Sequence, residues 1–74
     1  MVDNLKTMQV VAEQLNFRKG ASPRDFIMRV LQKGDKIDLV EELGNGWSKV
    51  VLNGHNRLMR REGYVVSQYI KEVQ

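Results

Sequence analysis

Apolar and polar residues alternate along this chain in short runs, each closed by a turn signal, and a period of two marks half-buried β-strands. "IDLVEEL", residues 37–43, puts Ile37, Leu39 and Glu41 on one face and Asp38, Val40 and Glu42 on the other. "GNG" at 44–46 turns the chain, and "WSKVVL" at 47–52 returns it. Upstream, "FIMRVL" at 26–31 reads as a strand and "QKGDK" turns through Gly34. Downstream, "NGHNRLMRRE" at 53–62 opens on Asn-Gly, a pair suited to a turn of positive φ, so an extended hairpin is expected there. "GYVV" then gives a strand, "SQY" a single helical turn and "IKEV" a last short strand.

Residues 8–18 are less clear. Met8, Val11, Ala12 and Leu15 fall at helical spacing, whereas Leu15 and Phe17 alternate with Asn16 and Arg18 as in a strand. The adjacent valines favour the extended reading. A loop, "KGASPRD" at 19–25, follows, where Gly20 frees the backbone and Pro23 pushes Ser22 towards extended geometry. The pattern therefore predicts an all-β chain of five or six strands, closed into a small barrel that hides its sheet edges. Its expected core is Val10, Ala12, Leu15, Phe17, Met28, Leu31, Ile37, Leu39, Val50, Val65 and Ile70. Residues 1–7 are expected as an N-terminal extension and 8–74 as the single barrel domain.

Composition narrows the chemistry. With 74 residues there is one domain, and a chain of this size buries only about 60% of its unfolded surface. There is no cysteine and a single histidine, so disulfides, thiol catalysis and the usual zinc sites are excluded. No apolar run approaches the roughly 20 residues of a membrane-spanning helix. No cofactor is expected. Glu41 and Glu42 point to opposite faces of one strand, so they form no acid–base pair, and no catalytic triad or phosphate-loop pattern occurs. A net charge of +3 favours acidic partners, concentrated at Arg57, Arg60 and Arg61 and around the 19–25 loop. The compartment is open: the cell envelope if the chain belongs to an exported protein, the cytoplasm if Met1 is a native start.

Five landmarks in order carry a resemblance: residues 15–18 ("LNFR"), 20–22 ("GAS"), 31–39 ("LQKGDKIDL"), 45–50 ("NGWSKV") and 63–70 ("GYVVSQYI"). Together they are similar to bacterial Src-homology-three-type domains, over about residues 10–70. The chain departs from that pattern in the eight residues 55–62 before Gly63, and in Phe17 and Arg29 where smaller residues are usual. The resemblance implies a compact barrel of the Src-homology-three type and a non-catalytic module that binds peptidoglycan peptides or partner proteins. It also implies a shallow aromatic groove.

On that basis the candidate groove residues are Trp47, Tyr69, Phe17, Arg24 and Asp25, with the 19–25 loop as one wall. Trp47 offers an apolar face and an N–H donor to an extended peptide. Arg24 and Asp25 offer a charge pair, and Arg18 is read as covering barrel surface with its stem. Tyr64 is expected to pack outward against a neighbouring strand. A second candidate surface is Arg57, Leu58, Met59, Arg60 and Arg61, an apolar pair inside a basic hairpin. It suits a partner protein, a polyanion, or weak homodimerisation through 55–62. Three functions remain open: the wall-peptide or protein-segment module; a small intracellular, phage-encoded, assembly domain; and a nucleic-acid-associated barrel. The last rests on "KGDKIDLVEELGNGW", which is similar to KOW-type barrels with basic RNA-contacting loops.

Overall fold

A computed structural model describes residues 6–52 and 61–73. Seven strands occupy those residues: β1 (Lys6–Val10), β2 (Gln14–Arg18), β3 (Ile27–Gln32), β4 (Lys36–Glu42), β5 (Trp47–Leu52), β6 (Arg61–Val66) and β7 (Ile70–Glu72). A 3-10 turn, Ser67–Tyr69, separates β6 from β7. All pairings are antiparallel, in the order β3-β2-β6-β5-β4-β1-β7. The chain is thus all-β and of the expected small-barrel type, with one strand more than the pattern predicts. The extra strand arises because residues 8–18 are not one segment. Val10 pairs back to the 33–35 turn, with Gly34 N–H donating to Val10 O at 2.8 Å, while Val11 N–H donates to Tyr69 O at 2.9 Å. No Gly or Pro announces that corner. At its start, β1 takes in Lys6 and Thr7, expected in the extension, which pair with Leu39 and Asp38.

Val10, Leu15, Phe17, Leu31, Ile37, Val50, Val65 and Ile70 form one buried cluster. Each such side chain, fully buried, contributes about 1.5–3 kcal/mol. Met28 and Leu39 are half-buried and pack against the cluster, while Ala12 is half-buried. Val51, on the opposite face of β5 from Val50, is also fully buried, although it lies outside that cluster. Simple alternation leaves it exposed. Tyr64 is half-buried on β6, opposite Lys49 and Arg18.

Two irregularities aim the side chains. In β4 the register passes from Leu39↔Val50 to Glu41↔Lys49, so Val40 is an extra, bulged residue. Facing residues in a ladder share a face, so Glu42, opposite Ser48, joins the face of Leu39 and Val50. Pure alternation gives that place to Glu41. The bulge thereby completes a polar cluster. Ser48, fully buried, donates from Oγ to Glu42 Oε1 at 2.8 Å; Ser67 Oγ lies 2.6 Å from Ser48 Oγ and 3.0 Å from Glu42 Oε2. β4, β5 and the 3-10 turn are pinned together there.

The second irregularity lies where β2 crosses β6 at the pair Arg18↔Tyr64. Phe17 is fully buried against Gly63: a Cβ on Gly63 would stand 2.5–2.8 Å from the Phe17 ring. Beside it, β3 bulges at Met28, between the pairs Phe17↔Arg29 and Arg18↔Ile27.

Gly63→Ala is expected to cost about 1–3 kcal/mol in denaturant melts, through overpacking. Part of that loss should return in the double variant with Phe17→Leu, since the two sites are coupled; simple additivity would refute the contact as its origin. Glu42→Ala should cost about 1 kcal/mol and Glu42→Gln less, because the amide oxygen still accepts. Equal losses for the two variants would assign the effect to packing.

Candidate functional site

The tight turn before β5 sets the position of Trp47. Gly44 and Gly46 both have positive φ, +83° and +93°, a region other residues avoid. Between them Asn45 accepts the Trp47 N–H on Oδ1 at 3.1 Å, and Leu43 N–H donates to Trp47 O at 3.0 Å. Ser67 N–H donates to Gly46 O at 2.8 Å, tying the 3-10 turn to the same corner. Trp47 faces Val66 across the ladder and is half-buried. Tyr69, at the end of the 3-10 turn, is 39% exposed. Local turn chemistry thus holds two aromatic rings at one end of the barrel.

The 19–25 loop is organised by its own backbone. Lys19 N–H donates to Phe26 O at 2.8 Å, and Asp25 N–H to Ser22 O at 3.1 Å. Ser22 Oγ accepts the Arg24 N–H at 3.1 Å, a turn that exposes Pro23. Arg18 reaches across from β2 and donates from Nη1 to Asp25 O at 2.9 Å. The Asp25 carboxylate packs against Gly20, where a Cβ would overlap it.

These elements meet in a depression of about 160 Å³ lined by Gln14, Leu15, Asn16, Arg18, Pro23, Trp47, Val66 and Tyr69. Gln14, Asn16 and Arg18 alternate along β2, so they project from one side of that strand. Trp47 and Val66 form the facing side. A second depression, of about 190 Å³, is lined by Arg29, Leu31, Asp35, Lys36 and Leu52. Its carboxylate, Asp35, already accepts the Gln32 N–H at 2.8 Å, and it has no aromatic ring to offer a ligand.

Of the residues expected in the groove, the depression brings together Trp47 and Tyr69. Phe17 is not there: it is a core residue with no exposed surface, because alternation along β2 turns it inward between Asn16 and Arg18. Arg24 is exposed and Asp25 half-buried, and neither lines the depression. The loop contributes Pro23 instead. Arg24 and Asp25 form no ion pair with each other, since the Asp25 side chain turns to Gly20. Arg18, expected to cover surface, is a lining residue. Its signal in the sequence is the period of two from Gln14, which places all three polar side chains on one side once β2 is known to start there. Of the basic hairpin, Arg57, Leu58, Met59 and Arg60 lie outside the described residues. Arg61 is exposed at the start of β6, paired with Leu52.

Among the described residues no three His, Cys, Asp or Glu side chains are grouped to hold a metal ion, and no helix is long and apolar enough to cross a membrane. A search of curated proteins finds no match to the chain. A family model, described as the bacterial SH3 domain, matches residues 13–71, from the corner before β2 to the middle of β7. That span contains both sides of the groove and the loop between β2 and β3. Together, the barrel and this match make the chain a member of the bacterial SH3 domain family, a family of binding modules.

Proposed function

We propose that this chain is a non-catalytic recognition module that docks a peptide of the bacterial cell wall in the depression between Pro23, Trp47 and Tyr69. The observation that carries the reading is the convergence of two partly exposed aromatic rings with three polar side chains of β2 around one shallow space. Rings of this kind supply large contact area at small entropic cost, and their polar tips keep a hydrogen bond for the ligand. A space of about 160 Å³ is below the several hundred that enclose a whole small molecule, so it grips one or two residues of a longer chain. The backbone on either side then runs over the barrel surface, as extended peptides do on aromatic grooves. Family membership supports binding rather than catalysis as the role.

Trp47 is the only tryptophan, so its emission reports the groove directly. Soluble peptidoglycan fragments are expected to shift that emission and to move the amide resonances of Trp47, Tyr69 and Pro23's neighbours. Trp47→Ala should weaken the affinity about tenfold or more while leaving the dispersed β-spectrum intact. Saturating fragments that leave the Trp47 and Tyr69 signals unmoved would sink the reading.

A further inference from the structure

We propose that the groove selects a free carboxylate on its ligand and that Arg18 is the residue that reads it; this rests on the wall-peptide reading above. The lining carries one charged side chain, Arg18, and no carboxylate among the described residues. A guanidinium with its stem against the barrel keeps its head group available to an acidic partner. Here it has a carbonyl instead. Arg18 Nη1 donates to Asp25 O at 2.9 Å, while the Asp25 carboxylate lies beside Gly20 and makes no ion pair with Arg18. None of the ion pairs among the described residues involves Arg18.

That single bond has a consequence for recognition. It tethers the guanidinium at one nitrogen and uses one of its five N–H donors, leaving the others for an incoming group. Two parallel N–H donors on a fixed fork match the two oxygens of a carboxylate. Gln14 and Asn16 continue the same row of β2, about 6.6 Å apart per step of two residues, close to the repeat of an extended peptide. Their amides suit backbone carbonyls and N–H groups of the ligand. Trp47, Val66 and Tyr69 cover its apolar side. A ligand ammonium has no carboxylate to meet in this lining, so a basic peptide is disfavoured.

Peptidoglycan stem peptides fit this chemistry, since they carry free carboxylates along a short, extended chain. The probe is the synthetic stem peptide L-Ala-γ-D-Glu-L-Lys-D-Ala with both amines acetylated, so that amidation leaves no net positive charge, titrated into the isotope-labelled 74-residue chain as the free acid and as the form amidated at both carboxyls. The free acid is expected to move the Arg18 Nε–H and Trp47 indole resonances, and amidation to weaken binding about tenfold or more. Arg18→Gln should bind the two forms alike. Its spectrum reports whether the fold survives, and the amidation arm needs no variant. Equal binding of both forms by the native chain overturns carboxylate selection and leaves the wall-peptide groove standing. No binding of either form overturns both. An all-L acidic tetrapeptide that binds more tightly than the stem peptide overturns the wall ligand.

Discussion

A missing side chain at residue 63 sets how closely the two halves of this barrel approach. β2 meets β6 at the single pair Arg18↔Tyr64, and the Phe17 ring lies where a side chain on Gly63 would be. Any Cβ there would push β2 away from β6. The groove is built across that junction, with Gln14, Asn16 and Arg18 on one side and Trp47 and Val66 on the other. Its width therefore follows from a core contact on the reverse face of the same strands. Phe17 acts on the site through packing.

A second constraint sets the height of the rim. The bulge at Val40 rotates the end of β4 so that Glu42 meets Ser48, and the resulting bonds reach Ser67 at the base of the 3-10 turn. Ser67 also ties back to Gly46, one residue before Trp47. Trp47 and Tyr69 are thus mounted on one stapled corner. A domain this small has little apolar core to stabilise a rigid site, and hydrogen-bonded corners at the barrel's end supply part of that rigidity. Every buried side-chain polar atom among the described residues finds a partner, so the polar cluster carries no desolvation cost left uncompensated.

The groove itself inverts one of those habits. Arg18 is held by the backbone carbonyl of Asp25 and takes part in none of the ion pairs among the described residues. Combined with two aromatic rings and a proline, it makes a surface with an apolar side and a directional polar end. Membership of the bacterial SH3 domain family points to binding.

Local sequence determined a good deal. The turns "KGD" and "GNG" and the alternation between them fixed where β4 and β5 lie, and "WSKVVL" forms β5 at 47–52. The single turn at "SQY" is the 3-10 turn. That Trp47 and Tyr69 meet at one depression was legible because both follow such local punctuation. What the chain could not announce is what depends on its neighbours. Bulges at Met28 and Val40 exist only in the pairing of two strands, and each changes which side chain shares a face with which. The corner at 11–13 arises where Val10 and Val11 bond to different parts of the sheet, with no turn residue to mark it. Whether Phe17 or Arg18 faces the depression is a question of which face of β2 the barrel closes over. Alternation sets the two apart, and only closure onto β6 decides which is core and which is groove.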